Sequence, residues 1–243
     1  MDTDADLTTA STALRTQWDA LRTWAHDVGD PALAAAPSVL DGWTVAALWA
    51  HVGRAMEALT ACTPAPAGVV PLTLGEYLAT YAAGAADTAE AARRLAAEHV
   101  SDPVGAVERS ATAALAHLGT LGPGDPVVQA RRGPVRLSTM TLTRVVELVV
   151  HADDLLRSGR RARGTSAGVP DPVDPRALAV VADALLTVVQ ARGGWDLEVA
   201  DARTWVRIAA GRIPYDVDVL ADALHARYTS DAVPDLGRLL PLL

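Results

Sequence analysis

The stretch that decides the fold is TLTRVVELVVHADDLL, residues Thr141–Leu156. Its apolar residues recur at spacings near three and four, which predicts a helix over about 138–157 that ends at Ser158-Gly159. One face of this helix is apolar: Leu142, Val145, Val146, Val149 and Leu156. The other face is polar and carries Thr143, Arg144, Glu147, His151 and Asp154.

The chain before this stretch predicts four more helices, over about 6–28, 44–61, 73–99 and 103–120. Thr44 is a suitable N-cap for the second of them. Thr73 and Glu76 form a capping-box pattern at the start of the third. Five helices joined by loops predict a mainly α protein built on a four- or five-helix bundle.

The chain after this stretch predicts a small α/β domain. Residues 159–175, GRRARGTSAGVPDPVDP, have the composition of an exposed linker. Beyond them we expect helices over about 175–192 and 216–226, a strand near 195–199, and a strand or short helix over 204–209. The predicted division is a bundle domain over 1–158, a linker over 159–175 and a C-terminal domain over 176–243.

Composition narrows the possible partners and surroundings. The 243 residues carry a net charge of −8, which argues against nucleic acid or anionic membrane as the main partner. Lys, Asn and Phe are absent, a bias typical of high-GC genomes such as those of actinobacteria. The only cysteine, Cys62, excludes an internal disulfide. The acidic start and the lack of an apolar run of about 18 residues predict a soluble cytoplasmic protein, a monomer or homodimer that acts on a small molecule.

Glu147 and His151 suggest a metal site. Side chains four residues apart on a helix differ by about 40° around its axis, so both project the same way. His51, on the second helix, could supply a third ligand from across a groove of the bundle. Two imidazoles and one carboxylate leave coordination positions open for water or substrate, as in catalytic rather than structural zinc sites.

A metal-free interpretation of the same residues is also open. Arg144 could pair with Glu147, and His151 with Asp154, in ordinary helix-surface contacts. His51 lies at the edge of an apolar stripe, where a histidine is often simply half-buried. The other histidines and Cys62 show no pattern that indicates a ligand or an activated nucleophile.

Two segments carry a family resemblance: DGWTVAALWAHV at Asp41–Val52 and RVVELVVHADDL at Arg144–Leu155. Together they resemble the mycothiol-dependent maleylpyruvate isomerase family, within the DinB-like superfamily of helical metal proteins. The resemblance implies that His51, Glu147 and His151 bind a divalent metal such as Zn²⁺, with mycothiol as thiol cosubstrate. Asp153 or Asp154 is then expected to orient a ligand histidine.

The C-terminal segment WVRIAAGR, Trp205–Arg212, resembles a motif of the small sterol-carrier-like domain that family members often carry. It implies that Arg212 reaches the pocket and binds a substrate carboxylate as a catalytic residue. The implied function is a mycothiol-dependent isomerase or thiol S-transferase. A metal-dependent hydrolase and a non-enzymatic small-molecule-binding module are the alternatives.

Overall fold

The computed structural model describes residues 6–122, 124–164, 168–228 and 233–243. Within them the chain is mainly helical. The helices are α1 (Leu7–Val28), α2 (Pro31–Ala35), α3 (Val45–Thr60), α4 (Leu74–Ala79), α5 (Ala85–Glu98), α6 (Pro103–Thr120), α7 (Leu137–Arg163), α8 (Pro175–Gly193), α9 (Ala202–Ala209) and α10 (Val217–Ala223). None of the described helices has the length and apolarity needed to cross a membrane.

Side-chain caps set the starts of the bundle helices, as the sequence predicts. The Thr44 side chain accepts a hydrogen bond from the backbone of Ala47 and begins α3. Thr73 and Glu76 form the complete capping box of α4. Pro103 lies in the first turn of α6, where its missing N–H leaves no helical hydrogen bond unmade.

The helix that decides the fold, α7, is buried on almost every side. It packs against α1, α3 and α8. Its apolar residues belong to the common hydrophobic core of the protein. Its polar residues are mostly buried as well: Ser138, Thr139, Thr141, Thr143, Arg144, His151, Asp153, Asp154 and Ser158. Polar side chains on a buried helix need hydrogen-bond partners inside the protein, whereas those on a surface helix can bond to water.

The predicted end of this helix at Ser158-Gly159 is wrong, because α7 continues to Arg163. Gly159 is an interior helix position that lies close to Trp24: a Cβ added there would come within 3.4 Å of the indole ring. The helix ends instead at Gly164, which adopts the left-handed conformation typical of a C-cap glycine. The helix therefore enters the predicted linker, which also includes residues outside the described ranges. The division into domains stays a prediction.

The single helix predicted over 73–99 is also wrong. The structure has α4, a short 3₁₀ turn at Ala82–Gly84, and α5. The guanidinium of Arg132 donates to the carbonyl of Thr80 at 2.7 Å, so a continuing helix could not use that carbonyl freely. The break brings Tyr81 to the bundle interior, where its ring packs against the core.

Two small antiparallel sheets complete the fold of the described residues. The first orders its strands β1 (Thr63–Pro64), β2 (Val127–Ala130) and β3 (Gly133–Arg136), and β3 leads directly into α7. The second pairs β4 (Leu197–Val199) with β5 (Leu224–Ala226). The C-terminal part is therefore α/β, as predicted, with the strand expected near 195–199 present. The 204–209 segment is helical, within α9, and the helix predicted over 216–226 ends at Ala223 where β5 begins.

Candidate metal centre

Helix α7 presents Glu147 and His151 side by side. Nε2 of His151 lies 3.3 Å from Oε2 of Glu147, one helical turn earlier. Both side chains are largely shielded from solvent, with exposed fractions of 8% for His151 and 14% for Glu147. The i, i+4 geometry that the sequence predicts is therefore realised inside the protein.

His51 meets this pair from α3. Its Nε2 lies 3.2 Å from the same Oε2 of Glu147. The imidazole rings of His51 and His151 are 4.6 Å apart, centre to centre, and nearly perpendicular. The indole of Trp43, just before the Thr44 cap, packs edge-on against His51 at 5.6 Å. The cap and this aromatic contact hold the imidazole toward α7.

The three groups have the spacing and chemistry of a metal-ligand set. One ligand atom from each of His51, Glu147 and His151 lies within 4.8 Å of the other two. Tetrahedral ligands about 2.1 Å from a zinc ion lie about 3.4 Å from one another, close to the two nitrogen–oxygen distances observed here. Nitrogen from two imidazoles with one carboxylate oxygen suits zinc and other first-row divalent ions. The residues present therefore fit such a metal.

The surroundings of the cluster favour the metal-binding forms of Glu147 and His51. Burial alone would raise the pKa of Glu147, but hydrogen bonds with His151 and His51 and the charge of Arg144 outweigh burial and hold that pKa well below its usual value. Burial lowers the pKa of His51. An ionised carboxylate and a neutral imidazole are the forms that bind metal ions.

Asp154 supports His151 from the next turn of α7. Its Oδ2 lies 3.1 Å from Nδ1 of His151, and its side chain is completely buried. The pKa of His151 is raised, because hydrogen bonds and charge from Asp154 and Glu147 outweigh the lowering effect of burial. Asp153 points elsewhere and accepts two hydrogen bonds from Arg207, each of 2.7 Å. Of the two carboxylates considered from the sequence, Asp154 is the one that contacts a ligand histidine.

Arg144 is buried beside Glu147 and supports it, whereas the sequence suggested only a contact at the helix surface. Its guanidinium donates to the carbonyl of Ala55 at 3.0 Å and to the hydroxyl of Tyr81 at 2.6 Å. Its Nη2 lies 4.0 Å from Oε1 of Glu147, the oxygen opposite the histidines. The i, i+3 spacing indicated this last contact, but nothing local indicated that α3 and Tyr81 would enclose the cation.

Comparison with known families identifies the family of this chain. Residues 14–156 match the family model described as the mycothiol maleylpyruvate isomerase N-terminal domain. The chain belongs to this family. The match covers more than half of the chain and includes all three residues of the cluster. No curated protein and no solved structure gave a match.

The family match confirms the resemblance inferred from the two sequence segments. It ends at residue 156, before α8 and the C-terminal α/β part. The likeness of that part to a sterol-carrier-like domain therefore stays a prediction.

In this mycothiol maleylpyruvate isomerase family member the cluster opens into a large pocket. The pocket has a volume of about 770 Å³, within the range of small-molecule binding sites. His51, Glu147 and His151 line it, with Trp43 and Tyr81 as aromatic walls. Five arginines also line it: Arg54, Arg131, Arg132, Arg144 and Arg212.

Arg212 reaches this pocket, as expected from the sequence, and two of its guanidinium nitrogens donate hydrogen bonds within the protein. Nε donates to Oδ2 of Asp154 at 2.9 Å, and Nη1 donates to the carbonyl of Ala210 at 2.9 Å. Its role in binding a substrate carboxylate stays a prediction. The contact with Asp154 connects it to the cluster in a way that no spacing rule indicated.

Other histidines and the cysteine lie outside the cluster. His26 pairs with Glu108 at the surface. His117 is 2.8 Å from the carbonyl of Cys62. The Cys62 thiol is fully buried, and burial raises its pKa to about 11, so it is a poor nucleophile near neutral pH.

Proposed function

We propose that this protein is a mycothiol-dependent metalloenzyme, an isomerase or thiol S-transferase. Its metal is held by His51, Glu147 and His151. The observation that carries the proposal is the convergence of these three side chains, from two helices, on one end of a large pocket. Membership of the mycothiol maleylpyruvate isomerase family supports mycothiol as the thiol.

A divalent ion such as zinc, when bound, supplies a positive charge that lowers the pKa of a nearby thiol and polarises a carbonyl oxygen. Glu147 and the two histidines hold that charge at the pocket wall. Arg144 contacts Oε1 of Glu147 and leaves Oε2 facing the histidines. Trp43 packs against His51, and the three cluster side chains are largely buried, which strengthens electrostatic interactions within the site.

The charge of the pocket favours an acidic electrophile. Arg54, Arg131 and Arg132 line it, and its five arginines outnumber its two acidic lining residues, Asp41 and Glu147. Guanidinium groups recognise carboxylates through paired hydrogen bonds. We therefore infer that the substrate is an unsaturated oxo-acid or a similar anion, whose acid groups lie toward these arginines.

The reaction requires a thiol from outside the protein, because the only cysteine, Cys62, is buried outside the cluster. In an isomerase the thiolate sulfur adds to the carbon–carbon double bond, and the electron pair moves to the conjugated carbonyl oxygen. Rotation about the resulting single bond and return of the electron pair expel the same thiolate, so no atom is gained or lost. In a transferase the carbon–sulfur bond remains: either the thiolate displaces a leaving group that departs with the electron pair of its broken bond, or it adds to the double bond and the resulting enolate takes a proton from water.

A hydrolase is the second candidate, because two histidines and a glutamate are also the zinc ligands of some metal-dependent hydrolases. Such an enzyme would direct water rather than a thiol at the substrate. A binding module without catalysis would have the pocket but would need no metal. These alternatives differ in their need for thiol and for metal, which the experiment below separates.

The test begins with the metal content of the purified protein and its thermal shift on adding zinc. Turnover of maleylpyruvate and of simple thiol acceptors is then measured with and without mycothiol. We expect about one metal per chain, activity only with mycothiol, and loss of both metal and activity in His151→Ala. The surface variant His26→Ala is the matched control and should behave as wild type. Turnover without thiol would favour the hydrolase, and the absence of metal binding would favour the binding module.

A further inference from the structure

The C-terminal part reaches α7 through two adjacent aspartates. Arg207, on α9, makes a two-bond ion pair with Asp153. Arg212, just after α9, donates from Nε to Oδ2 of Asp154 at 2.9 Å. The two ion pairs are alike in chemistry, and both join the C-terminal part to the helix that carries Glu147 and His151.

Only one of these aspartates touches the candidate metal centre. Oδ2 of Asp154, the atom that accepts from Arg212, also lies 3.1 Å from Nδ1 of His151. A histidine that binds a metal through Nε2 must carry its proton on Nδ1, and a carboxylate acceptor fixes that tautomer. Arg212, Asp154 and His151 thus form a continuous chain of hydrogen bonds.

Asp154 depends on Arg212 for its orientation. Its other oxygen, Oδ1, has no hydrogen-bond partner among the described residues, and the cation nearest to it is Arg157 at 3.9 Å. Both hydrogen bonds to side chains therefore fall on Oδ2. Without the Arg212 bond, the carboxylate would be free to rotate toward Arg157 and away from His151.

Arg212 itself is held firmly. Its backbone N–H donates to the carbonyl of Arg207 at 2.7 Å, and its Nη1 donates to the carbonyl of Ala210. Gly211 before it adopts a left-handed conformation, with φ of 64°, which directs the chain back toward α7. The arginine is therefore preorganised on the C-terminal turn.

We propose that Arg212 is a positioning residue: it fixes the Asp154 carboxylate, which in turn orients His151 for metal binding. The C-terminal part thereby completes the metal centre without contributing a ligand. This inference rests on the proposed function for its metal readout. It differs from a substrate-binding role, because a substrate-binding arginine would alter KM and leave metal affinity unchanged.

The test compares Arg212→Gln, Arg212→Lys and the matched control Arg207→Gln. Arg207 serves as control because its partner, Asp153, contacts none of the three cluster residues through a described hydrogen bond or ion pair. Zinc affinity is measured by competition with a chelator, and folding by circular dichroism and Tm. We expect Arg212→Gln to bind zinc roughly 10–100-fold more weakly, the range found when a group that orients a ligand is removed. Arg212→Lys should recover part of that loss, whereas Arg207→Gln should lower Tm and leave zinc affinity within about twofold of wild type.

A second readout does not require metal. Nitrogen-15 NMR of His151 in the chelator-treated protein, assigned with His151→Ala and recorded where the imidazole is neutral, reports which ring nitrogen carries the proton. We expect the Nδ1–H tautomer in wild type and in Arg207→Gln, and a mixture of tautomers in Arg212→Gln.

The outcomes separate this inference from the proposed function. Wild-type zinc affinity in Arg212→Gln, or an equal loss in Arg207→Gln, would overturn the positioning role, because the effect would then be absent or due to docking of the C-terminal part. A wild-type protein that binds no zinc would contradict the proposed function, and the tautomer of His151 would still decide the inference. An unchanged tautomer in Arg212→Gln would refute it.

Discussion

The ion pair between Arg144 and Glu147 offers a quantitative test of how the metal centre is built. Arg144 is almost fully buried, with its side chain 6% exposed, and Nη2 lies 4.0 Å from Oε1 of Glu147. The same guanidinium satisfies the Ala55 carbonyl and the Tyr81 hydroxyl. Removing the cation should therefore disturb both the fold and the carboxylate that faces the histidines.

The expected free energies follow from these contacts. Arg144→Met leaves a buried carboxylate without its neighbouring cation, and breaking such a pair destabilises proteins by about 3–5 kcal/mol. Unit charges 4 Å apart attract by about 4 kcal/mol at an effective dielectric constant of 20. Glu147→Gln keeps the shape of the side chain and removes its charge. We expect the double variant to be about 2–4 kcal/mol more stable than the sum of the single effects implies.

The assay is urea unfolding of metal-free protein, in chelator, for wild type, both single variants and the double variant. Arg109 is the matched control: it is exposed on α6 and pairs with Asp102, so Arg109→Met should show no coupling with Glu147→Gln. If Arg144→Met does not fold, Arg144→Gln replaces it, because glutamine also removes the charge and keeps an amide donor for the Ala55 carbonyl or the Tyr81 hydroxyl. A coupling free energy below about 0.5 kcal/mol would refute the view that Arg144 supports the glutamate electrostatically.

Three further predictions concern the thiol, the packing of α3 on α6, and the start of α7. Cys62 should resist alkylation at pH 8 in the native protein and react fully in urea, because burial keeps the thiol protonated; rapid native labelling would contradict its buried position. Gly53→Val should destabilise the protein by about 1–3 kcal/mol in urea unfolding, because a Cβ added there would lie only 3.1 Å from Val107. Gly119→Ala should instead stabilise the protein by about 0.5–1 kcal/mol, because nothing lies within 4 Å of a Cβ added there. Equal effects of these two substitutions would argue against tight packing at the first. Asp125→Ala should lower the free energy of unfolding by about 1–2 kcal/mol, because the Asp125 side chain caps the first turn of α7 and its φ is 53°; an unchanged urea midpoint would exclude this capping role.

Part of the candidate metal centre was predictable from local sequence. Glu147 and His151 share a face because the helical repeat places residues four apart one turn above each other. The Thr44 cap and the Thr73–Glu76 capping box were also predictable from the sequence, because each depends on residues within one helical turn. His51 was only a possible third ligand until the family resemblance selected it, because no local rule distinguishes it from the other histidines of the chain.

Other features depended on contacts between distant parts of the chain. The prediction that the helix ends at Gly159 was wrong because Trp24, which is distant in sequence, packs against this glycine inside the helix. The prediction of one continuous helix over 73–99 was wrong because the guanidinium of Arg132 forms a hydrogen bond with the carbonyl of Thr80, inside the predicted helix. In both places a tertiary contact outweighed the weak preference of the local sequence.

The amino-acid sequence by itself determined most of the long helices, several of their starts, and the paired glutamate and histidine on α7, because backbone geometry fixes contacts within a turn or two. Only the tertiary structure decided that His51 meets Glu147 across 96 residues, that Arg144 is enclosed as a buried cation, and that Arg212 holds the aspartate behind His151. Such contacts depend on how whole helices pack, and packing is set by the shape of the entire core rather than by any short segment.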